Sequence, residues 1–93
     1  MTTFVLDDSL EPDGYFQITD LSSVRSVAGG NGRIALIQTL NQNIRWRDDG
    51  VDPTSTIGMR LAAGETFLYT GKMQTIRLIE EAVGAQVNIS TYK

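Results

Sequence analysis

Residues 33–47 alternate, and this constrains the chain more than any other feature of its sequence. Ile34, Leu36, Gln38 and Leu40 fall on one side of an extended backbone. Asn41-Gln42-Asn43 interrupts, and Ile44 and Trp46 then share a face opposite Arg45 and Arg47. A period of two is that of a pleated strand, whose successive side chains point to opposite faces. The pattern predicts two strands, or one long strand bent by a bulge at the Asn-Gln-Asn stretch.

The flanks follow the same rhythm. Residues 15–19 read as a short strand with Phe16 and Ile18 on one face. Before them, Pro12-Asp13-Gly14 suits a tight turn, which sets residues 1–14 apart as a candidate N-terminal arm. Residues 20–27 read two ways: Asp20 caps one helical turn, or residues 24–27 form a strand. Ala28-Gly29-Gly30-Asn31-Gly32 is a break. Residues 48–56 form a long polar loop, Gly64-Glu65 separates segment 57–61 from segment 66–70, and Gly71-Lys72 marks another turn. Residues 73–83 place Ile76, Ile79 and Val83 on one helical face, yet 75–80 also reads as a strand running into a turn at Gly84. Residues 86–92 alternate and close the chain as a strand.

Short strands cut by glycine turns about every ten residues, with no helical pattern between them, predict an all-β fold, an antiparallel β-sandwich or jelly roll. That consistency favours strand over helix for 75–80. The length, 93 residues with 41% apolar, predicts one domain over 1–93, because a second core would leave too little chain for either. A lone copy of this size buries roughly 60–65% of its unfolded surface and is only modestly stable.

Composition removes several kinds of chemistry. Without cysteine or histidine there are no disulfides, thiolate nucleophiles, Cys/His zinc sites or Ser-His and Cys-His pairs. Lys plus Arg is 8 against 11 Asp plus Glu, a net charge of −3, which supplies no basic stripe for nucleic acid and disfavours anionic membranes. No run of about 18 apolar residues is present to span a bilayer. The start, Met1-Thr2-Thr3-Phe4-Val5-Leu6-Asp7-Asp8, has no basic segment and too short an apolar stretch for a signal peptide. The expectation is a soluble protein made in the cytosol.

Each candidate site has a plainer reading beside it. Asp48, Asp49 and Asp52 invite calcium, but their spacing is not that of an EF-hand and Asp with Gly is what a turn selects. Arg45-Trp46-Arg47 could hold an anion or stack on a base; the plainer reading buries Trp46 and pairs the arginines with Asp48, Asp49 or Glu65. Glu80 and Glu81 resemble a carboxylate pair, but neighbours on a strand diverge, which makes them a solvated edge. Gly29-Gly30-Asn31-Gly32 lacks the lysine and helix of a phosphate loop. No Ser, Thr, Tyr or Lys is paired by the sequence with a base. The expectation is a chain with no catalytic, cofactor-binding or metal-binding residues, hence no enzyme.

Asn43-Ile44-Arg45-Trp46-Arg47-Asp48-Asp49-Gly50, then Pro53-Thr54, Gly58 and Leu61-Ala62-Ala63-Gly64-Glu65-Thr66-Phe67, resembles small structural proteins of tailed bacteriophages. So does the ending, Ile76-Arg77-Leu78-Ile79 followed by 84–92. Together they cover the chain from about residue 34 onward, as a strand, an Asp-Asp-Gly loop, a glycine-linked strand pair and a closing strand. The resemblance implies a non-enzymatic virion protein of β-sandwich type: a capsid decoration or cement protein, or an accessory head or tail component. It implies localisation to the virion after synthesis in the bacterial host cytoplasm. The expected partners are copies of the chain itself, as a trimer or in multiple copies on a larger assembly, because a chain this short has a modest core and unguarded edges, and other virion proteins such as the major capsid protein. Nucleic acid and membrane are not among them. Thr3-Phe4-Val5-Leu6 either adds to a neighbour's sheet or packs back as a first strand, and the closing strand has only Lys93 to guard it as an edge.

Two other functions compete. A carbohydrate-binding module would use Trp46, Tyr69 and Tyr92 as a platform, although their alternation partners are aliphatic and suit a core. A cupin-like enzyme would place Leu61-Ala62-Ala63-Gly64-Glu65 between strands, but such enzymes hold metal through histidines, and this chain has none.

Overall fold

The computed structural model describes residues 11–27, 33–71 and 73–93. They form eight strands: β1 (Pro12–Ile18), β2 (Arg25–Ser26), β3 (Ile34–Thr39), β4 (Ile44–Arg47), β5 (Met59–Leu61), β6 (Thr66–Thr70), β7 (Arg77–Glu80) and β8 (Val87–Tyr92). A single 3-10 turn, Met73–Thr75, precedes β7, and the described residues contain no α-helix.

One sheet has the order β1-β8-β3-β6 and the other β2-β7-β4-β5, with every pairing antiparallel. First pairs with last, second with seventh, third with sixth and fourth with fifth, and every connection except β4–β5 crosses between sheets. This nesting is that of a jelly roll, so the expected antiparallel sandwich is found.

The core lies between the sheets. One sheet contributes Ile18, Ala35, Ile37, Val87 and Ile89, and the other Ile44, Leu61 and Leu78. Leu21, Val27, Ile76 and Ala85, from the connections, close its rim and are each fully buried. Two buried threonines keep their hydroxyls satisfied: Thr39 donates to the Gln42 carbonyl and Thr91 to that of Gly14, which avoids the cost of an unpaired buried polar group.

The folded chain decides several sequence expectations, some for and some against. Residues 33–47 make two strands in different sheets, not one bent strand. On β3 the period is as expected, but the core takes Ala35, Ile37 and Thr39, while Ile34, Leu36 and Gln38 face outward. Pro12-Asp13-Gly14 is not a turn but the start of β1, with a register shift between Pro12 and Gly14; β1 is an edge strand, where a missing N–H is tolerated. Segments 57–61 and 66–70 do not pair, since β5 and β6 lie in opposite sheets. The closing strand is no edge, because β8 sits between β1 and β3. Asp20 caps no helix; its carboxylate accepts from the Ser22 N–H and hydroxyl at 3.0 and 2.6 Å in a bend. Strand wins over helix late in 73–83, as β7, after one 3-10 turn. Residues 1–10 of the candidate arm and the break at 28–32 lie outside the described residues.

Candidate functional site

Trp46 projects from β4 toward the other sheet because its alternation partner Ile44 is a core residue. It stacks on Phe67 of β6, centroids 4.8 Å apart, and meets Tyr69 edge-on at 6.3 Å. It is half-buried and packed against the core rather than enclosed by it. One side of the ring opens on a groove of about 450 Å³ lined by Arg47, Asp48, Asp49, Ile57, Gly58 and Met59. Ile57 and Met59 are 55% and 61% exposed there. Nothing in the one-dimensional pattern marked Ile57 and Met59; the β4–β5 register sets Met59 opposite Trp46, and Ile57 lines the same groove.

The aromatic platform is not assembled. Trp46 and Tyr69 lie together against the core, whereas Tyr92 lies on the outer side of its sheet, with Asn88 and Ser90.

The aspartates of the loop are engaged separately. Asp48 accepts the Tyr69 hydroxyl at 2.9 Å. Burial raises the Tyr69 phenol above its ordinary pKa; a hydrogen bond with Thr75 opposes this and the Asp48 carboxylate adds to it. Asp49 receives both Nε and an Nη of Arg47, and that hydrogen bonding is the main cause that holds its carboxyl below the usual value. Asp52 is exposed. Among the described residues no three carboxylates gather as a set that could hold a metal ion.

Arg45 and Arg47 point outward, as their alternation with Trp46 requires. Arg47 takes Asp49, one of the expected partners, but Arg45 takes Glu81, donating from Nε at 2.6 Å and from Nη1 to the Gly58 carbonyl at 3.0 Å. Glu65 instead accepts the Ala62 N–H. Glu81 is thus no solvated edge: it also bridges Arg60 at 3.2 Å and accepts Asn43 Nδ2. Burial works to raise its pKa, but the hydrogen bonds from Asn43 and Arg45 and the charges of Arg60 and Arg45 outweigh it and lower it. Sequence separation hid this cluster, since Arg45 and Glu81 are 36 residues apart.

The outer side of the β1-β8-β3-β6 sheet differs in character. Tyr15 and Gln17 of β1, both exposed, donate to Asn88 Oδ1 of β8 at 2.8 and 2.9 Å, and Asn88 Nδ2 donates to Gln38 of β3 at 3.1 Å. This neutral ladder crosses three strands. Ser90, Tyr92, Ile34, Leu36, Thr66, Leu68 and Thr70 complete the face by register, and none of these residues is charged. Asp13 and Lys93, 3.8 Å apart, lie at one end of it. A shallow groove of about 240 Å³ runs between Tyr15, Leu36, Gln38, Thr66, Asn88 and Ser90.

Comparison with protein-family models, with curated proteins and with solved structures finds no match to this chain.

Proposed function

We propose that this chain is a non-enzymatic virion structural protein of a tailed bacteriophage, a capsid decoration or cement protein or an accessory head or tail component. It works through protein–protein contacts with copies of itself and with other virion proteins such as the major capsid protein. The observation that carries the reading is the uncharged outer face of the β1-β8-β3-β6 sheet. On a chain with net charge −3, a face without charges lets a second copy approach with no like charges set against each other. Its amides are partly paired with one another within the face, which lowers the cost of covering them. A small jelly roll whose core is modest gains stability when such a face is covered. Jelly rolls recur in capsid and lectin domains, an analogy of fold alone.

Mass spectrometry of particles purified from cells encoding the chain is the test. Recovery at the stoichiometry of the structural proteins is the expected result; a chain that stays with the soluble fraction and never enters particles overturns the assignment.

A further inference from the structure

Four arginines share the outer face of the β2-β7-β4-β5 sheet, and the register sets them side by side: Arg45 opposite Arg60, and Arg47 opposite Arg77. They are half of the 8 basic residues of a chain whose net charge is −3. Like charges directly opposite one another on a sheet are destabilising, and stability alone would place threonine or a mixed-charge pair there. Glu81 offsets Arg45 and Arg60, and Asp49 offsets Arg47, which leaves an excess of two positive charges. Arg77 donates from Nη1 to the backbone oxygens of Gln74 and Ile76 at 2.6 and 3.1 Å. Those bonds fix its guanidinium without neutralising it.

We propose that this face is a docking site for an acidic protein segment, whose carboxylates seat on Arg60 and Arg77. A held guanidinium presents a fork that matches a carboxylate through two parallel N–H bonds. Arg60 on β5 and Arg77 on β7 lie on either side of β4, two strand spacings or roughly 10 Å apart across the sheet, within the span of a short extended segment. Nucleic acid fits less well. It asks for an unbroken basic track, and Asp49 and Glu81 interrupt this one while the chain as a whole carries negative charge. The uncharged face belongs to the other sheet, so loss of either contact leaves the other in place.

The test is fluorescence anisotropy of a labelled oligoglutamate peptide with the full chain at low ionic strength, repeated over a salt series, with oligothymidylate and oligolysine as comparison probes. Oligoglutamate should bind, its affinity should fall as salt rises, and the folded Arg60→Gln/Arg77→Gln double variant should bind at least about tenfold more weakly. If that variant fails to fold, the arginine Nε–H resonances of the parent decide: those of Arg60 and Arg77 should shift as peptide is added. The proposal is overturned by no oligoglutamate binding at low salt, by undiminished binding to a folded double variant, by unmoved arginine resonances, or by oligothymidylate binding as tightly as oligoglutamate.

Discussion

The indole of Trp46 on β4 and the ring of Phe67 on β6 stack across the two sheets, centroids 4.8 Å apart and planes 27° apart. The pair clamps β4 to β6, and the open side of Trp46 forms a wall of the groove at Ile57 and Met59. Because the indole is half-buried, Trp46→Ala should cost about 3 kcal/mol, the lower end for a large aromatic. Phe67→Ala should cost a similar amount. The double variant should cost less than the two together by about 0.5–1.5 kcal/mol, the coupling of a stacked pair. Denaturant unfolding of the three variants measures this, and additive losses would mean that the rings do not stack in solution.

Glu81 joins three strands through Asn43, Arg45 and Arg60, and its pKa and those of Asp49 and Asp20 are all lowered in the fold. A carboxyl whose folded pKa is depressed contributes stability that is full above its unfolded pKa of about 4 and disappears as pH falls through the folded value. The melting temperature should therefore hold steady down to about pH 5 and decline below it. Glu81→Gln should melt lower at neutral pH and show a shallower acid decline. A variant with the parent's acid slope would remove Glu81 from that role.

Gly58 has φ +137°, and a Cβ there would meet the Trp46 carbonyl oxygen at 3.1 Å, Pro53 at 3.2 Å and Arg45 at 3.3 Å. Gly50, at φ +84°, has nothing within 4 Å of that position. Both replacements carry backbone strain of about 1–2 kcal/mol. Gly58→Ala should cost more than Gly50→Ala, since it also pushes on the backbone of β4. Chemical denaturation midpoints for the two variants give the comparison, and equal losses would place the whole cost in the backbone angle.

Light scattering over a concentration series tests the uncharged face. Leu36→Glu and Thr66→Glu each put a carboxylate on it, and a self-associating chain should lose its higher mass in both, since like charges in a covered interface cost several kcal/mol. A parent that stays monomeric at high concentration would remove self-association and leave docking on a different protein.

What the sequence determined by itself was the period of each strand and, where charge marks one side, its phase. Arg45 and Arg47 on either side of Trp46 settle which face of β4 is outward, and the structure agrees. β3 carries aliphatic side chains on both sides, so its period told nothing about phase, and Ile37 rather than Leu36 enters the core. That choice was made by the neighbours: Ile37 stands in register with Ile89 and Phe67, and Ala35 with Thr91 and Tyr69. Pairings between residues far apart in sequence likewise lie beyond local pattern. Arg45 finds Glu81, Trp46 finds Phe67, and Arg47 is set beside Arg77 only when β4 settles between β5 and β7. Local alternation is a property of a few consecutive residues, whereas strand order and register are fixed by burying every apolar face at once, and only the folded chain solves that problem.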